Sequence, residues 1–178
     1  APTVARADGA RAAVLGSGAT ACSALAALTE LGATDIVVAA RRHAGSGRAA
    51  AAAHRMGLSV TALPWRPGDA ASDDSVADLL AHADLVVSTL PAGAADALAA
   101  PLAAALERRG RAQAVMLDVV YAPWPTPLAS TWTAAGGRAA PGWLMLLHQA
   151  VPQVSLMTGQ TPPTGPMREA LEAAVGAR

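Results

Sequence analysis

Gly16, Gly18 and Ala21 stand in the run VLGSGATACSAL as G-x-G-x-x-A, directly after an apolar run and at the opening of a helix-length segment. In that setting the chemistry belongs to the backbone. Gly16 permits a tight turn, Gly18 lets the main chain approach a pyrophosphate, and Ala21 keeps the helix close to the strand. The amides of Ser17, Gly18, Ala19 and Thr20 would then meet a diphosphate at the positive end of the helix. The same residues would also serve a glycine turn that only packs a helix on a sheet.

The next apolar run, DIVVAA, ends in RRHAGSGR. An NAD site carries Asp or Glu about 20 residues after the glycine turn, where it holds the adenosine ribose. Here Arg41 and Arg42 occupy that place, with Arg48 beyond. A guanidinium pairs with a 2′-phosphate through two parallel hydrogen bonds, and an acid would repel it. The pattern therefore predicts NADP rather than NAD. Its structural alternative is a solvated arginine pair at a strand end.

Other residue types exclude chemistry. All 13 basic residues are arginine, so no lysine within these residues can act as a base or form a Schiff base. The single cysteine, Cys22, allows neither an intrachain disulfide nor a cysteine zinc site, and reads as buried filler. His43, His54, His82 and His148 read as surface or packing residues, and no metal site is expected. A formal net charge of +0 carries no nucleic-acid footprint or polybasic anchor. No apolar run reaches the roughly 18 residues that span a bilayer. The opening stretch APTVARADGARAAV has no signal-peptide core, so a soluble, cytoplasmic protein is expected.

These residues need elements to hold them. Ala12–Leu15, Asp35–Ala40, Leu58–Leu63, Asp84–Thr89 and Ala114–Val120 read as strands, continuously apolar as when both sheet faces are covered. Ala19–Gly32, Arg48–Gly57, Ala94–Gly110 and Thr126–Gly137 read as helices, each closing on glycine. Pro64–Ser75 reads as an exposed loop. The alternation predicts an α/β fold: a doubly wound parallel sheet forming a Rossmann-like NAD(P)-binding domain. With 53% hydrophobic residues in 178, one domain is expected over 1–178. Residues 160–178 are read as a linker and final helix, with Glu169 and Glu172 outward.

Three blocks in order carry a resemblance: the glycine turn GSGATA, the segment DVVYAPWPTPL, and GWLMLLHQA. Together they resemble the C-terminal, NADP-binding domain of shikimate dehydrogenase, from about Arg11 to Gly159. The resemblance implies reversible reduction of 3-dehydroshikimate to shikimate by NADPH. It implies that Val119, Gly142 and Met145 lie near the nicotinamide, and that Tyr121 and Gln149 face the substrate. Taken alone, Tyr121 reads as an ordinary tyrosine at a core edge and Met145 as core filler. The family's Asn-Arg-Thr is Ala40, Arg41, Arg42 here, and its Asn-x-Thr is Ser88, Thr89, Leu90, with Ser88 or Thr89 expected at the cofactor. The family's catalytic lysine and aspartate belong to an N-terminal substrate domain that is expected to be missing from these residues. No catalytic residue is therefore expected in this chain. A stand-alone, non-catalytic NADP-binding module and a quinate/shikimate relative are the competing readings.

Overall fold

Six parallel strands form one sheet in the order β3-β2-β1-β4-β5-β6 in the computed structural model, which describes residues 7–45, 48–110 and 114–176. The strands are β1 (Arg11–Leu15), β2 (Asp35–Ala40), β3 (Thr61–Pro64), β4 (Leu85–Ser88), β5 (Val115–Asp118) and β6 (Arg138–Pro141). The helices are α1 (Ala19–Glu30), α2 (Ala49–Arg55), α3 (Ala70–His82), α4 (Ala99–Arg109), α5 (Pro127–Ala134), α6 (Gly142–Thr158) and α7 (Thr164–Gly176). The strand order reverses between β1 and β4, where a doubly wound sheet opens a crevice at its carboxyl edge. The expected α/β, Rossmann-like architecture is what the chain adopts.

Two apolar layers flank the sheet. On one face, Leu25 and Leu28 of α1 and Ala49 and Ala53 of α2 pack on Ala12, Val14, Ile36 and Val38. On the other, α3, α4 and α5 bring Leu80, Leu102, Leu106 and Trp132 onto Ala13, Leu15, Val86 and Met116. Alanines on the strands leave room for the larger helix side chains, so the layers interdigitate.

Four expectations are corrected. Pro64–Ser75 is not simply a loop, because α3 begins at Ala70. Asp69 caps it by accepting from Ser72 N at 2.9 Å, and Trp65 and Asp73 inside the stretch are buried. Polar capping residues gave the segment a loop-like composition. β6 went unread because RAAP is short and half-polar, and it pairs only with β5 at the sheet edge. The helix read from Ala94 starts as a 3₁₀ turn at Asp96–Leu98 before α4. Finally, the sheet is not covered throughout on both faces. Leu85, Val87, Val115, Leu117 and Val119 are only half-buried, while Val86 and Met116 between them and Val120 after them are buried.

The final helix runs from Thr164, with Glu169 and Glu172 exposed as expected. The last two residues of that segment lie outside the described residues. Among the described residues no helix is long and apolar enough to cross a membrane.

Candidate functional site

The glycine turn joins the end of β1 to α1, and its first glycine is required by the protein itself. Gly16 has φ +99, and a Cβ there would lie 2.5 Å from Thr89 Oγ1. Thr89 presses close because its hydroxyl and its amide both donate to Leu15 O, at 2.7 and 2.9 Å. Gly18 is different. Its backbone is extended at φ −82, and an added Cβ would meet nothing within 4 Å. Among the described residues no contact calls for glycine at that position. The open space lies at the N-terminus of α1, whose first turn carries no acid. Ala21 is fully buried against the sheet, while Ala19 and Thr20 are exposed.

Ser17 links the two halves of the site. Its side chain is buried and Oγ donates to Arg42 O at 2.6 Å, while its carbonyl accepts from Ala49 N at 3.0 Å. The glycine turn therefore fixes the β2–α2 turn that carries the arginines. This hydrogen bond joins residues 25 apart. Sequence reasoning assigned Ser17 only its amide and missed the hydroxyl, for which no local pattern exists.

A cavity of about 520 Å³ opens at the carboxyl ends of β1–β4. Gly16, Ser17, Gly18, Arg41, Arg42 and Arg48 are among its lining residues, and among the described residues no acid lines it. Arg41 and Arg42 are exposed and Arg48 half-buried. Among the described residues none of the three is ion-paired to a carboxylate. Three uncompensated guanidinium groups beside a helix N-terminus make a site for a polyanion. An NADP molecule, with a diphosphate and a 2′-phosphate, fits these donors.

Thr89 lines this cavity, whereas Ser88 is buried beneath the loop that follows β4, beside Asp118. Val119 and Met145 border a separate apolar groove of about 360 Å³ over β4 and β5, with Thr20 and Leu28 of α1 on its other side. Tyr121 lines a third concavity with Trp124, Trp143 and Glu172. Gln149 is exposed on α6, one helical turn beyond Met145. Neither Tyr121 nor Gln149 lines the arginine-bearing cavity. His43 contacts Leu63 O at 3.1 Å in the β2–α2 turn. Among the described residues no group of three or more His, Cys, Asp or Glu could hold a metal ion.

The proline-rich stretch after β5 is stapled by buried polar groups. Asp118 Oδ2 accepts from Thr126 Oγ1 at 2.8 Å, and Oδ1 accepts from Val120 N at 3.2 Å. Thr126 caps α5 by accepting from Ala129 N at 3.1 Å, with Pro127 in the first turn. The acid at the strand end thus closes a loop. Gly142, the first residue of α6, lies against the end of β5: a Cβ there would overlap the carbonyl of Val119. Its amide donates to Val120 O at 3.0 Å.

Comparison with known proteins supplies a context for this geometry. Residues 142–172 match the family described as the shikimate 5′-dehydrogenase C-terminal domain. The shikimate dehydrogenase (NADP(+)) of Citrifermentans bemidjiense is 39% identical over 161 residues, spanning 90% of this chain and 53% of the relative. The crystal structure of Mycobacterium tuberculosis shikimate dehydrogenase is 41% identical, with a TM-score of 0.70 over 96% of this chain and 58% of that one. Over nearly its whole length the chain is similar to part of the shikimate dehydrogenases. It spans about half the length of the curated relatives it matches. A quinate dehydrogenase from Corynebacterium glutamicum, solved in complex with NAD, is 25% identical with a TM-score of 0.69.

The segment shared with the shikimate dehydrogenase C-terminal domain contains Gly142, Met145 and Gln149, on α6, and most of α7. The glycine turn and the arginines lie outside that match, on the opposite half of the sheet.

Proposed function

We propose that this chain is the cofactor-binding half of an NADP-dependent shikimate dehydrogenase, which interconverts 3-dehydroshikimate and shikimate in the cytoplasm. The observation that carries the reading is the acid-free cavity in which Arg41, Arg42 and Arg48 stand beside the glycine turn without carboxylate partners. When bound, NADPH supplies the hydride. The chain's own residues bind and orient. The amides of Ser17 to Thr20 face the diphosphate at the positive end of α1, and Gly18 leaves its approach free. Arg41 and Arg42, held by the Ser17 hydroxyl through the carbonyl of Arg42, take the 2′-phosphate, with Arg48 at the edge of the same cavity. Thr89 bounds the turn, and Ser88 supports the β4 end from below. Val119, Gly142 and Met145 are assigned to the nicotinamide end, and Tyr121 and Gln149 to the substrate side. No residue of this chain is assigned as catalytic.

Calorimetric titration with NADPH and NADH tests the reading. NADPH is expected to bind more tightly. Arg41→Ala is expected to weaken NADPH by about 1.5–3 kcal/mol, the range for hydrogen bonds to a charged group, and to leave NADH nearly unchanged. Equal affinities, or a preference for NADH, would refute the NADP assignment and favour the quinate-type alternative. Tight NADPH binding without shikimate turnover, even with a lysine-bearing substrate domain supplied, would instead leave a non-catalytic binding module.

A further inference from the structure

We infer that Asp73 is a positioning residue for the cofactor's adenine, holding Trp65 and Gly68 in place as the wall of the cavity beyond the arginines. The inference rests on the cofactor reading above and goes beyond it to a residue that touches no ligand. Asp73 is 4% exposed and sits in the first turn of α3. Its two oxygens each receive one N–H: Trp65 Nε1 at 2.7 Å and Gly68 N at 2.9 Å. Both donors belong to residues that line the cavity, whereas Asp73 does not. A buried carboxylate bridging two cavity-wall residues ties the wall to α3 by charge-assisted bonds.

Several further contacts fix this wall. Trp65 N donates to Ala40 O at 3.0 Å, placing its backbone next to the β2 end that carries the arginines, while its indole packs in the core. Gly68 turns the chain with φ +88, a conformation that other residues rarely adopt. Arg66 N donates to the Ser72 hydroxyl at 2.8 Å, so α3 grips the loop at a third point. Leu90, Ala94 and Ala97, from the segment after β4, line the same cavity. Across the sheet edge the glycine turn follows β1, the arginines follow the adjacent β2, and Trp65 to Gly68 follow β3 beyond it. That is the order of diphosphate, phosphorylated ribose and flat purine base in an extended dinucleotide.

The test uses two non-reacting probes, ADP-ribose and 2′-phospho-ADP-ribose, titrated into the protein by calorimetry. Asp73→Asn keeps the shape but leaves one acceptor oxygen for two donors. It is expected to weaken both probes by the same factor, about ten-fold, as loss of one charge-assisted bond implies. Arg41→Ala should weaken only the 2′-phosphorylated probe. A role confined to stability would lower the melting temperature of Asp73→Asn and leave both affinities unchanged below it, which would overturn the inference. So would a loss limited to the phosphorylated probe. If Asp73→Asn does not fold, Trp65→Phe removes the indole donor and keeps an aromatic wall. An equal loss on both probes supports the inference there, and no loss overturns it. An unaltered protein that binds neither probe fails the cofactor reading itself, a result distinct from all of these.

Discussion

Gly18→Ala separates a glycine kept for a ligand from glycines kept for the fold. A methyl at Gly18 meets nothing within 4 Å, and its φ of −82 and ψ of −165 are open to alanine. Two small effects on stability oppose each other. Alanine is a poorer N-cap than glycine, by about 0.5–1 kcal/mol. It also restricts the unfolded chain, which stabilises by about 0.4–1 kcal/mol. The net change in folding free energy should be within about 0.5 kcal/mol of zero, read from urea denaturation midpoints at unchanged slope. Binding should respond very differently. The methyl would stand between the diphosphate and the amides at the start of α1. Losing two charge-assisted hydrogen bonds of about 1.5–3 kcal/mol each costs about 3–6 kcal/mol, or roughly 10²- to 10⁴-fold in NADPH affinity. Calorimetry on the folded variant reads this directly. A Gly18→Ala protein that binds NADPH as tightly as the unaltered one would refute the claim that a dinucleotide lies against this turn.

Gly142→Ala should do the reverse at the level of stability: its Cβ overlaps a backbone carbonyl held by the Val119 N–H to Ser88 O bond of 3.0 Å. Parting α6 from β5 forfeits the Gly142–Val120 bond and disturbs packing, so a loss of about 2–4 kcal/mol is expected in chemical denaturation. The 178-residue chain by itself is expected to show no shikimate oxidation with NADP in an absorbance assay, since it contains no lysine. Turnover by the pure chain would require another residue as the acid–base group.

The first five strands and the helices α1, α2, α4 and α5 could be read from the sequence because they rest on near-neighbour physics. Apolar runs such as DIVVAA and DLVVST bury a strand, and glycines after alanine-rich helices close them cheaply. The glycine turn and the arginine pair were legible for the same reason, since each occupies a fixed offset from a strand end. Composition misled where polar residues had local partners to satisfy. Asp69, Ser72 and Asp73 made the start of α3 look like a loop, yet their hydrogen bonds cap the helix and bury Trp65. The remaining features depend on residues far apart in the chain. Ser17 finds the carbonyl of Arg42, Thr89 forces glycine at position 16, and the end of β5 forces it at position 142. The separation of Val119 and Met145 from the arginine cavity likewise follows from which sheet face each side chain meets. Periodicity says that a residue lies on one face of its own strand or helix. Which neighbour that face meets is set only when parallel strands are ordered and registered by contacts along their whole length.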